Sequence, residues 1–122
     1  MASQGRGSAR AAAVLLLCLI AIQSEAAVYT VGDSAGWTFN MVAWPRGKRF
    51  RAGDQIVFRY DPAIHNVVPV TAAGYNSCLQ PRGAKVFRSG NDRITLARGT
   101  NYFICTVVGH CQAGMKVAIL AA

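Results

Sequence analysis

Acidic side chains are scarce in this 122-residue chain: five Asp and Glu stand against thirteen Lys and Arg, for a formal charge of +8. The few carboxylates form no obvious catalytic pair, which argues against an enzyme in the strict sense. Histidine occurs only twice, as His65 and His110. Long apolar stretches are limited to one, Ala11 to Ile22. At 12 residues it is too short for a helix that crosses a bilayer, which takes about 20. No second such stretch follows, and no polar spacer leads into a greasy tail, so a C-terminal lipid anchor is not expected. Internal repeats, low-complexity segments and linkers are also missing.

The one apolar stretch has the flanks of a secretory leader. Arg6 and Arg10 precede it, and Gln23-Ser24-Glu25-Ala26-Ala27 follows. A basic start, a short apolar centre and small residues before a break predict a signal peptide over 1–26, cut after Ala26. A buried N-terminal helix fits worse, because the stretch has no polar face. Cleavage removes Cys18 and leaves 96 residues, 27–122, with 11 basic and 4 acidic side chains and a charge of +7. That length makes one domain with a modest core, of a size that often gains from a disulfide or a metal.

Beyond the leader, short runs of β-formers alternate with Gly and Pro, the pattern of an all-β sandwich or barrel. Candidate strands are Ala27–Val31, Asp54–Tyr60, Asn66–Thr71, Ala84–Phe87, Asp92–Ala97, Thr100–Thr106 and Met115–Ala121. In the second, Ile56, Phe58 and Tyr60 share one face. Ala72–Leu79 is the one stretch suited to a helical turn.

Three cysteines remain after cleavage: Cys78, Cys105 and Cys111. An odd count in an oxidising compartment leaves one sulfur over, and metal ligation is one use for it. Three pairings are open, and spacing does not choose among them rigorously. The surroundings favour Cys78–Cys111. Cys105 ends the apolar strand Tyr102-Phe103-Ile104, whereas Cys111 sits beside His110 and points elsewhere.

With Cys105 free, the chain reads C-x4-H-x4-M through His110 to Met115, in a loop between the last two strands. Gly109 and Gly114 precede the His and the Met and let the loop fold onto one point. His65, at the start of another strand after Pro62, supplies a second imidazole. Two imidazoles, one thiolate and a weak axial thioether make the donor set of a blue-copper electron-transfer site. Zinc suits it less, gaining little from a thioether. Singly, each residue has a plainer role: a core Met, a surface His, a buried thiol. Their order and combination carry the assignment.

These residues resemble the plantacyanins, the basic blue proteins among the plant phytocyanins. The shared features are Tyr29-Thr30-Val31-Gly32-Asp33 with Gly36-Trp37, His65-Asn66-Val67-Val68, and Cys105 through Met115. The resemblance covers 27–122. It implies a cupredoxin-like Greek-key sandwich or barrel of about seven to eight strands with a short helical segment. It also implies one copper on His65, Cys105, His110 and Met115, and a disulfide between Cys78 and Cys111. Stellacyanins carry Gln at the axial position, so Met115 points to plantacyanin or uclacyanin, and the lack of a Pro/Ser-rich tail to plantacyanin. The resemblance further implies that Asn66 steadies the Cys105 loop through Thr106, and that electrons pass at the exposed edge of His110.

The expected function is a secreted, monomeric single-electron carrier in the extracellular matrix, with an unidentified redox partner. Both histidines are consumed by one site, so none remains for an oxygen-reducing second copper cluster. The alternative is an extracellular signalling or matrix-binding protein in which copper is structural or incidental, a link to reproduction and stress that the resemblance implies. Arg46, Lys48, Arg49 and Arg51 cluster in one loop, and Arg82, Lys85 and Arg88 in another. Such charge attracts acidic cell-wall polysaccharide in a salt-dependent way, or simply keeps the protein soluble. Nucleic-acid binding is not expected, as no recognised motif is present.

Overall fold

The computed structural model describes residues 25–122, so all but the end of the expected leader lies outside the described residues. Six strands form two three-stranded sheets. One sheet holds β1 (Val28–Thr30), β2 (Gln55–Arg59) and β4 (Asn91–Thr95) in the order β1-β2-β4. The other holds β3 (Val68–Val70), β5 (Gly99–Ile104) and β6 (Lys116–Ala121) in the order β3-β5-β6. From β2 to β5 the chain changes sheet at every connection, as a sandwich with Greek-key character requires. A helix α1 (Ala72–Ser77) follows β3.

The alternation read from the sequence produces the core. In β2, Ile56 and Phe58 are fully buried, and they meet Val117, Ile119, Phe103 and Trp37 from other parts of the chain. Trp37 and Phe58 pack edge to face, their ring centroids 5.0 Å apart, and Phe58 also packs on Phe103 at 5.2 Å. A smaller cluster of Val68, Ile104 and Cys111 sits under α1. β4 pairs antiparallel with β2, and β6 with β5, but β1 runs parallel to β2, with Tyr29 opposite Ile56.

The expected sandwich holds: the two sheets remain separate, without closing into a barrel, and carry six strands among the described residues where seven or eight were expected. Two strand expectations change. Ala84–Phe87 is not a strand: only Phe87 pairs, in an isolated bridge with Val67. Its Ala84 and Val86 cover the Val68–Ile104–Cys111 cluster, so their burial comes from packing under α1 and not from a ladder. Asn66–Thr71 shortens at both ends. Thr71 caps α1, accepting from the Gly74 amide at 3.2 Å, and Asn66 turns its side chain to the site described next.

Candidate metal centre

Two loops at one end of the sandwich deliver the donors. The first begins with a turn in which the amides of Ile64 and His65 donate to the Asp61 carbonyl, at 3.2 and 3.1 Å. Pro62 and the Asp61 carboxylate, which accepts from the Ala63 amide at 2.9 Å, fix this turn. His65 emerges from it buried, at 8% exposure.

The second loop joins β5 to β6. Its two ends stay paired, the Cys105 amide donating to the Met115 carbonyl at 3.1 Å. Between them the loop folds on itself. The His110 carbonyl accepts from the amides of Ala113 (3.1 Å) and Met115 (3.0 Å), and the His110 amide donates to Val107 (3.0 Å). Such tight winding needs positive φ, which Gly109 (83°) and Gly114 (90°) supply. A Cβ on Gly114 would also lie 3.3 Å from the Asn40 backbone nitrogen.

Cys78 and Cys111 form the disulfide, anchoring this loop to the end of α1. Cys105 is left as a free, fully buried thiol. Its sulfur lies 3.6 Å from His110 Nδ1, and the Nδ1 atoms of His65 and His110 lie 3.1 Å apart. All three donors fall within 4.8 Å of one another. An ion about 2.0 Å from each nitrogen and about 2.3 Å from sulfur, at trigonal angles, sets separations of about 3.5 and 3.7 Å. The observed spacings are close to these. Met115 is fully buried beside them, tied through its backbone to both Cys105 and His110. The residues present therefore fit one copper: imidazoles and a thiolate converge, and a thioether is the neighbouring soft donor.

Electrostatics favour neutral, ligating imidazole. Burial first, then the adjacent His110, hold His65 below its ordinary value of 6.5, while Asp61 acts in the opposite direction. Protons then compete poorly for the lone pair a metal needs.

Asn66 joins the two loops. Its Nδ2 donates to Thr106 Oγ1 at 2.9 Å, and its Oδ1 accepts from the Thr106 amide at 2.8 Å. Since Asn66 follows His65 and Thr106 follows Cys105, this pair of hydrogen bonds fixes the two ligand-bearing backbones relative to each other.

Some supports were not found from the sequence. Phe39 sets its ring edge to face against both imidazoles, with centroids 5.8 Å from His65 and 5.0 Å from His110. Trp37 Nε1 donates to the Asn66 carbonyl at 2.9 Å, holding the first loop from beneath. The segment carrying both is fixed to the second loop, the Met41 amide donating to Gly114 at 3.1 Å. In the sequence Gly36-Trp37 stands only as a shared motif, and no spacing links Phe39 to either histidine.

Comparison with known proteins agrees with this geometry. Residues 37–115 match the family model described as a plastocyanin-like domain. Chemocyanin from Lilium longiflorum is 58% identical over 125 residues, covering 98% of this chain and 99% of the relative. The solved structure of cucumber basic protein, a blue copper protein, superposes with a TM-score of 0.78 at 57% identity, over 79% of this chain and all of that one. Spinach plantacyanin superposes with a TM-score of 0.71 at 56% identity, again over 79% of this chain and all of that one.

Proposed function

The chain belongs to the phytocyanin family of blue-copper proteins, and we propose that it is a secreted single-electron carrier holding one copper on His65, Cys105, His110 and Met115. The convergence of the Cys105 sulfur and the two Nδ1 atoms within 4.8 Å carries this reading. Bound copper supplies a one-electron couple between the cupric and cuprous states.

The chain's own residues do the rest. His65, Cys105 and His110 are held by backbone hydrogen bonds, the Asn66–Thr106 bridge and the Cys78–Cys111 link, so the donors keep their places whichever oxidation state is bound. A site that need not rearrange has a low barrier to electron exchange. Burial of Cys105 and Met115 excludes water from the sulfur donors. His110 is only half-buried, which makes its outer edge the port for electrons. Ile64, at 53% exposure, and Val108, at 96%, lie on the two loops that carry the imidazoles and offer apolar surface to a redox partner.

The protein is a carrier and not an enzyme; the sequence holds two histidines, both in this one cluster. Secretion is supported by the leader pattern over 1–26 and by the oxidised Cys78–Cys111 pair, a bond that persists outside the cytosol. No helix among the described residues is long and apolar enough to cross a membrane. Met115, where stellacyanins carry Gln, supports a plantacyanin-like donor set over a stellacyanin-like one.

The test is spectroelectrochemistry on the mature, copper-loaded protein. An intense visible thiolate-to-copper band that bleaches on reduction and returns on oxidation is expected. A folded, copper-loaded protein without that reversible band contradicts the proposal.

A further inference from the structure

Beside the end of β6 lies a second feature that electron transfer does not use. A cleft of about 400 Å³ runs beside Lys48, Arg49 and Arg51 over Phe50 and Leu120. An adjoining cleft of about 260 Å³ shares Lys48, Phe50 and Leu120 with it and continues past Arg46 and Val42. Together they make one groove. Leu120 is five positions beyond Met115 along β6, which places that end of the groove about 17 Å from the metal centre at about 3.3 Å per strand residue, while the Val42 end runs back toward Met41 and Ala118.

The groove is built on fixed backbone. Phe50 pairs with Ala121, its carbonyl accepts from the Ala122 amide at 3.0 Å, and the Ala52 amide donates to Ala122 at 2.9 Å. The basic loop is thus tied to the end of β6. Lys48 is held in place, its ammonium donating to the Trp44 carbonyl at 3.0 Å and lying over the Trp44 ring. Arg46 and Arg49 are exposed at the groove's edges. Two acidic residues of the folded domain lie near these cations. Asp33 reaches only Lys48, across 3.9 Å in an exposed pair. Asp54 is buried, with its two oxygens taken by the amides of Ala27 (3.0 Å) and Arg51 (2.8 Å).

We propose that this groove binds a linear, carboxylate-bearing polysaccharide, a polyuronate. Several cations along one groove match a polymer with one negative charge per sugar. The aliphatic floor, with Leu120 at 68% and Val42 at 49% exposure, suits the C–H faces of pyranose rings. Single-stranded nucleic acid is a poorer match, because it needs exposed aromatic faces for stacking and Phe50 is only 4% exposed. The choice of polymer rests on the secreted location proposed above; the groove does not depend on the copper site. None of the metal-site residues lines the groove, which leaves the His110 edge free, so the protein works as a carrier tethered to matrix.

Titration calorimetry of the copper-loaded mature protein with polygalacturonate oligomers tests this. The Arg46→Gln/Arg49→Gln variant removes two groove charges and should bind roughly threefold to tenfold more weakly at low salt. Arg82→Gln/Arg88→Gln removes the same charge elsewhere and should change affinity by less than about twofold. Equal weakening by both pairs overturns the groove in favour of net charge. Tighter binding to single-stranded DNA or to phosphatidylserine vesicles than to the oligomers overturns the polyuronate assignment. The Cys105→Ser variant should lose the blue band yet bind the oligomers as before, so failure of the copper reading and failure of the groove are told apart.

Discussion

Replacing Asn66 with Ala tests whether the two ligand loops are held together as described. The substitution removes two hydrogen bonds, at 2.9 and 2.8 Å, and leaves the Thr106 amide without its partner. At about 1 kcal/mol net for each bond, plus part of the cost of an unpaired amide, copper-free protein should lose about 2–4 kcal/mol. That is a large share of the roughly 5–15 kcal/mol of a small domain. Thr106→Val removes only the hydroxyl acceptor and should cost about 1 kcal/mol. The double variant should fall no lower than Asn66→Ala by itself, giving a coupling of about 1 kcal/mol. Loosening the partners of metal ligands typically weakens metal binding about 10- to 100-fold. At fixed excess copper, the loaded protein should therefore lose a further ~1.4–2.7 kcal/mol. Urea unfolding with and without copper reads both quantities. If Asn66→Ala stays within about 0.5 kcal/mol of the parent in both forms, the bridge holds nothing and the reasoning is wrong.

Other consequences follow from the same geometry. The Cys78→Ala/Cys111→Ala pair opens a link across 33 residues, and loop-closure entropy puts the loss near 4 kcal/mol by thermal or urea unfolding. Gly114→Ala forces a Cβ onto a residue at φ 90°, 3.3 Å from the Asn40 nitrogen, and should cost about 1–3 kcal/mol while shifting the visible band through Met115. Burial and the hydrogen bond to Asp92 push the Tyr60 phenol from 10 up to about 12. Its stabilisation is thus whole below pH 10 and fades as pH rises to about 12, so Tyr60→Phe should flatten the alkaline end of the stability profile.

The metal centre was legible because its donors are rare residue types and three of them are close in sequence. A loop between neighbouring strands β5 and β6 brings Cys105, His110 and Met115 together almost wherever the rest of the chain goes. His65 followed because the chain holds no other spare imidazole. The supports were hidden for the opposite reason. Phe39 and Trp37 satisfy an ordinary core as well as they satisfy a metal site, so only tertiary contact reveals that one touches both histidines and the other holds Asn66. Strands are legible where apolar residues recur at every second position, as Ile56 and Phe58 do in β2. At Ala84–Phe87 apolar residues pack beneath a helix and mimic the same period. The parallel pairing of β1 with β2 depends on which distant edge is free, which no local pattern encodes.

The central claim is that one unbridged thiol and two imidazoles hold a single copper. Electron paramagnetic resonance with copper counting on the mature protein addresses it directly. One copper per chain with the narrow hyperfine pattern of a copper–thiolate bond, lost in Cys105→Ser, is the predicted result. A wide pattern typical of nitrogen and oxygen donors, unchanged by Cys105→Ser, would contradict it.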